Sequence, residues 1–87
     1  MSNYHGENEE KKMRHFTIIK KFPHYDTDKS GEPTSTTLYD EDDVMILTGD
    51  DYHDKIDEMI EGFFHALDYI CGTGTYKVKT MNINEAE

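Results

Sequence analysis

The stretch HYDTDKSGEPTSTT (residues 24–37) holds residues whose types and spacing approach a known metal site. An EF-hand calcium loop takes ligands at its first, third and fifth positions and needs glycine at the sixth. It offers a carbonyl at the seventh and closes with a bidentate glutamate at the twelfth. Asp26, Asp28, Ser30, Gly31 and Glu32 match that opening. Thr37 stands at the twelfth position, however, where it has no second carboxylate oxygen to give. Pro33 stands at the eighth, and the strand-like FTIIKKF and TSTTLY flank the loop where helices belong. Aspartate and glycine are also what a hairpin turn uses, the first for bonds to its own backbone and the second for positive φ. The expectation is a turn, with calcium binding as the alternative, and neither a metal nor a cofactor is expected.

Other reactive residues are scattered. His5, His15, His24, His53 and His65 include no pair at ligand spacing. They read as solvated or flanking histidines, not as metal ligands or a general base. GTGT (residues 72–75) follows a helical pattern instead of opening one, so it is not a phosphate loop. Cys71 is the single cysteine, which excludes an internal disulfide and reads as a small apolar residue at a helix end. Adjacent carboxylates crowd a polar face, away from any pocket that would shift one of them into acid–base service. The chain is therefore expected not to be an enzyme.

The carboxylates are informative in another way. The 87 residues carry a net charge of −10. That excess lies in residues 40–68, where Asp40, Glu41, Asp42, Asp43, Asp50, Asp51, Asp54, Asp57, Glu58, Glu61 and Asp68 face Lys55 alone. On either side of this segment acids and bases cancel. Apolar residues make up 34% of the chain, with six tyrosines and four phenylalanines, which favours a thin folded core over disorder. No apolar run reaches the roughly 20 residues a membrane span needs. The opening MSNYHGENEEKKMR offers no signal-peptide core, so a cytoplasmic location is expected.

The elements that must position these groups follow from periodicity. RHFTIIKKF (14–22) alternates, with Phe16, Ile18 and Phe22 on one face, and TSTTLY (34–39) pairs with it across the DTDKSGE turn. VMIL (44–47) is apolar throughout and is expected nearer the sheet centre. Tyr52, Ile56, Met59, Ile60, Phe63, Leu67 and Ile70 recur at helical steps within a stripe about 100° wide, which predicts a helix over about 49–71. Thr48 and Asp51 would form its capping box, Leu47 and Tyr52 its hydrophobic staple, and Gly72 its terminator. TYKVKTMNI (75–83) switches apolar parity from Tyr76 and Val78 to Met81 and Ile83, which suggests a strand with a bulge. The expected fold is α+β: a small antiparallel sheet, made of a hairpin and one or two further strands, packed by one long amphipathic helix. Residues 1–13 and 84–87 are read as flexible tails around a single domain at 14–83.

DEDDVMILTGDDYHDKIDEMIEGF, about a quarter of the chain, resembles small acidic phage-encoded inhibitors, among them the DNA-mimicking type II-A anti-CRISPR proteins. The resemblance is one of charge and architecture: an apolar strand leading into a helix with carboxylates outside. It implies a non-enzymatic protein, phage-encoded, that inhibits a basic nucleic-acid-binding host protein, a nuclease, polymerase or defence protein. Asp40, Glu41, Asp42, Asp43, Asp50, Asp54, Asp57, Glu58 and Glu61 would stand in for phosphates, and Phe64 would add an apolar anchor. Direct binding to nucleic acid or membrane is not implied. The alternative is a phage or bacterial structural or assembly protein that self-associates through its sheet, since one helix cannot cover both Ile19 and the opposite face of its strand.

Overall fold

The computed structural model describes residues 13–86, and among these the elements run β1 (Arg14–Phe22), β2 (Ser35–Tyr39), β3 (Met45–Gly49), α1 (Ile56–Cys71) and β4 (Tyr76–Asn84). The fold is α+β, a four-stranded sheet in the order β3-β2-β1-β4 with the helix packed against it. β1 pairs antiparallel with β2 from Thr17↔Tyr39 to Lys21↔Ser35, and β2 pairs antiparallel with β3 from Thr36↔Gly49 to Tyr39↔Met45. No helix among the described residues is long and apolar enough to cross a membrane.

Three expectations for the sheet are corrected. The sheet is mixed, because β4 runs parallel to β1 in unbroken register from Arg14↔Tyr76 to Phe22↔Asn84. Parallel pairing needs a crossover, and α1 supplies it: the helix returns the chain to the end of the sheet where β1 begins. The VMIL segment forms an edge strand, with Val44 56% and Met45 55% exposed, while Ile46 and Leu47 pack toward the core. The irregularity expected in β4 lies in the β2–β3 pair, between Leu38 and Tyr39. In β4 the parity switch has another cause. The strand is an edge whose two faces both lie largely open, so neither parity is required to be apolar.

The alternation in β1 is realised as predicted. Phe16 and Phe22 are buried on the helix side, and Phe16, Leu38, Ile56 and Ile60 form the core. Around Phe16 an aromatic cluster closes the sheet–helix junction. Phe63, Phe64 and Tyr76 meet its ring edge-on at centroid distances of 5.7, 5.3 and 5.9 Å, and Phe64 stacks on Tyr76 at 5.0 Å. Such pairs contribute about 0.5–1.5 kcal/mol each beyond their buried area.

The helix begins seven residues later than its periodicity suggests. Thr48 stays in β3, where its Oγ1 meets Thr37 Oγ1 at 2.8 Å, so it caps nothing and the expected capping box and staple do not form. Aspartates compete for nearby backbone N–H groups and thereby favour turns over helix interiors. Asp50 and Asp54 do this in the segment between β3 and α1. The helix instead opens from Lys55, which is left-handed at φ 52° and ψ 48° and gives no side-chain cap. Asp51 takes over part of that role, accepting the Asp57 N–H at 3.2 Å. The apolar stripe shortens accordingly. Ile56, Ile60, Phe63 and Leu67 belong to the core or pack on it, whereas Tyr52, Met59 and Ile70 are 83%, 46% and 76% exposed. Gly72 ends the helix at φ 89°, a value that suits glycine, with its N–H on Asp68 O at 2.8 Å.

The last strand runs one residue past its expected end at residue 83. Asn84 is the last residue of β4, and its Nδ2 donates to Pro23 O at 3.0 Å and Asp26 O at 2.8 Å. Glu85 N–H donates to Phe22 O, and the Glu85 carboxylate accepts from Thr34 Oγ1 at 2.6 Å. Residues 1–12 and 87 lie outside the described residues, and with them nearly all of the expected N-terminal tail.

Candidate interaction surface

The sequence brings the carboxylates of residues 40–68 to three places. The first is the β2–β3 turn. Asp40 Oδ1 accepts the N–H groups of Asp42 at 2.8 Å and Val44 at 2.9 Å, and Asp43 takes positive φ, 63°. Asp40 is thus an internal clamp for the turn. Glu41 Oε1 accepts the His15 N–H at 3.3 Å, tying the turn to the start of β1. The Asp42 and Asp43 carboxylates make no such bond among the described residues. Asp43 lines a shallow depression of about 330 Å³ on the sheet face away from the helix, together with Thr17, Ile19, Tyr39, Lys79 and Met81.

The second place is the β3–α1 turn, separated from the first by the five residues of β3, about 17 Å of strand. Here Asp50 accepts from His53 through both the backbone N–H and Nδ1. The backbone donor is the main reason that the Asp50 carboxyl lies below its usual range. Asp54 Oδ2 accepts the Asp50 N–H at 3.0 Å.

The third place is the helix. At about 100° per residue, Asp57, Glu61 and Asp68 share one flank and Glu58 lies further out. Asp57 pairs with Lys20 at 3.4 Å, both groups partly solvated, so the pair adds about 0–1 kcal/mol. Asp68 accepts the Tyr76 hydroxyl at 2.7 Å, which holds the Tyr76 phenol above its ordinary value. Glu58 and Glu61 are exposed and have no hydrogen bond or ion pair among the described residues.

The ten residues marked by sequence therefore divide. Asp40, Glu41, Asp50, Asp54 and Asp57 are committed to internal bonds. Asp42, Asp43, Glu58 and Glu61 are uncommitted among the described residues. Phe64 is half-buried, packing against the core on one side and stacking on Tyr76. Asp50 and Asp54 sit in a turn, so the unbroken helical array expected from residue 49 onward is not formed.

Periodicity left one feature unread. β1 and β4, side by side, carry Arg14, Lys20, Lys21, Lys77 and Lys79 and no acid. The β3–β2 half and the helix above it carry the eleven carboxylates of residues 40–68. Strand alternation contained the bases, but their meeting depended on the parallel β1–β4 pairing, a long-range contact.

The EF-hand-like loop is a turn. Asp26 Oδ2 accepts the Gly31 N–H at 2.9 Å and Asp26 Oδ1 the Ser30 N–H at 3.2 Å. The Ser30 hydroxyl is the main reason that the Asp28 carboxyl lies below its usual range. The oxygens a cation would need face backbone donors. No group of three or more His, Cys, Asp or Glu side chains among the described residues is placed to hold a metal. Compared with known protein families, curated proteins and solved structures, the chain matches none.

Proposed function

We propose that this chain is a non-enzymatic interaction protein that engages a basic, nucleic-acid-binding partner through its carboxylate-bearing side. In this reading it blocks the partner's nucleic-acid surface, in the manner of the phage-encoded inhibitors it resembles. The observation that carries the reading is charge segregation by element: the turns flanking β3 and the helix bear the eleven carboxylates of residues 40–68, whereas β1 and β4 bear bases and no acid of their own, with Asp57 and Asp68 reaching across to Lys20 and Tyr76. A net charge of −10 spread evenly would only keep the chain soluble. Segregated, it directs a one-signed field outward from the helix side, where Glu58 and Glu61 have no partner among the described residues to neutralise them. Asp42 adds to that field from the β2–β3 turn. The committed aspartates support this role indirectly, because they lock the turns from which the free carboxylates project.

The test is displacement of labelled DNA from a panel of bacterial nucleases and polymerases. The chain should displace DNA from its partner, and between about 0.15 and 0.5 M salt that competition should weaken steeply. Glu58→Lys with Glu61→Lys and Asp42→Lys should weaken it by at least about tenfold, roughly 1.4 kcal/mol. These side chains hold no structural bond among the described residues, so the far-ultraviolet circular dichroism should not change. A triple variant that competes as well as the parent overturns the reading.

A further inference from the structure

The outer strand β4 is nine residues long, stands at the sheet edge and is exposed over nearly its whole length. The backbone orientation along it can be read from its two ends. Arg14 N–H donates to Thr75 O, and Glu85 N–H donates to Phe22 O, with unbroken register between. Odd-numbered residues of β4 therefore turn their N–H and C=O groups toward β1. The even-numbered residues Tyr76, Val78, Thr80, Asn82 and Asn84 turn theirs outward, unpaired among the described residues.

We infer that this edge pairs antiparallel with β4 of a second copy of the chain, about a twofold axis at Thr80, to make a continuous eight-stranded sheet. Three features select that occupant and register. First, an axis at Thr80 matches outward residues only with outward residues, so Tyr76 meets Asn84, Val78 meets Asn82 and Thr80 meets its own copy. That arrangement closes about ten backbone hydrogen bonds. Second, lysines on an edge strand ordinarily deter such pairing, but here Lys77 and Lys79 occupy one half of β4 and TMNIN, uncharged, the other. The Thr80 axis sets Lys77 across from Ile83 and Lys79 across from Met81, so no lysine faces a lysine and each stem covers an apolar neighbour. Met81 and Ile83 are 42% and 36% exposed in the single chain. Third, two copies each bearing −10 repel over most of their surfaces, and β1 and β4 themselves contribute five bases and no acid. Acidic or basic partner strands fit less well: the first are repelled by the rest of the chain, the second by the lysines at the edge.

This interface is separate from the carboxylate side and does not depend on the charge reading. A strand seam lies at the small end of specific interfaces, so the dimer is reversible and concentration-dependent. Sedimentation of the full chain should show mass rising from monomer to dimer with concentration. Added salt should leave the dimer intact or tighten it, whereas a charge-driven complex with a basic partner loosens.

Thr80→Pro removes the outward N–H at the axis while keeping a residue type that edge positions tolerate. It should raise the dimer dissociation constant by about tenfold or more with β content unchanged. Register is tested by cross-linking in a Cys71→Ser background, since Cys71 is exposed. Thr80→Cys should oxidise to a disulfide dimer, its two Cα atoms lying about 5.5 Å apart. Lys77→Cys should not, because that residue lies about 20 Å from its own copy. A chain monomeric up to about 1 mM, a dimer indifferent to Thr80→Pro, or cross-linking as efficient at position 77 as at 80 would each overturn the proposal.

Discussion

Single residues hold more of this fold than the motifs do. Gly49 ends β3 where the Asp54 side chain folds back, and a β-carbon there would lie 2.6 Å from Asp54 Oδ2 and 2.8 Å from Asp54 Cβ. The Asp54 Cβ is fixed to the backbone and cannot swing aside. Gly49→Ala should therefore cost about 1–3 kcal/mol, and much less in an Asp54→Gly background, which a double-mutant cycle of urea melts would show. Tyr76 is a second such residue. Its hydroxyl donates to Asp68, which favours the neutral phenol and raises its pKa in the folded state. Stability from this bond is fully present below the unfolded tyrosine value of about 10 and is lost as pH rises through the higher folded value. Absorbance titration should show one tyrosine ionising late, and Asp68→Asn should bring it back toward the others.

At the scale of elements, the legible and the hidden divide by the range of the interactions that decide them. The β1 strand, the β1–β2 hairpin and the existence of an amphipathic helix follow from alternation and periodicity within a dozen residues, and the structure has all three. The helix start was not legible, because Tyr52 fell on the apolar stripe while the local chemistry of Asp50, Asp51 and Asp54 drew the backbone into a turn. Periodicity records where a side chain would point if the helix were there. It does not record the carboxylates competing for that helix's first N–H groups. The direction of β4 was set by its pairing with β1 from Arg14↔Tyr76 onward, a separation of 62 residues that no local pattern contains, whereas β3 took the edge by a short hairpin to β2 that leaves nothing on its other side among the described residues. The late start leaves Lys55 left-handed without a cap, a cost of about 1 kcal/mol for a residue with a β-carbon. Lys55→Gly should recover about that amount and raise the melting temperature by about 4–8 °C. A drop in melting temperature would mean that the Lys55 side chain contributes more than its backbone costs.

For the whole molecule, the carboxylates of residues 40–68 were visible in sequence as an excess. Their division into clamps and free groups was not, because it depends on which N–H each oxygen reaches in the folded turns. The same division decides how the excess acts on folding. Clamping carboxylates such as Asp40 and Asp50 bond at short range, where salt screens little. Those without a partner among the described residues, such as Glu58 and Glu61, interact chiefly by repulsion over longer distances. Raising sodium chloride from about 0.01 to 1 M shortens the screening length from about 30 to about 3 Å, so it removes the repulsion and leaves the clamps. The melting temperature should therefore rise with salt. Reversing Glu58 and Glu61 to lysine relieves part of the same repulsion from within, so that variant should start higher at low salt and gain less from added salt. If the parent instead melts lower as salt increases, then exposed pairs such as Lys20–Asp57 outweigh the repulsion. The negative half would then be a neutralised surface with little field to offer a partner.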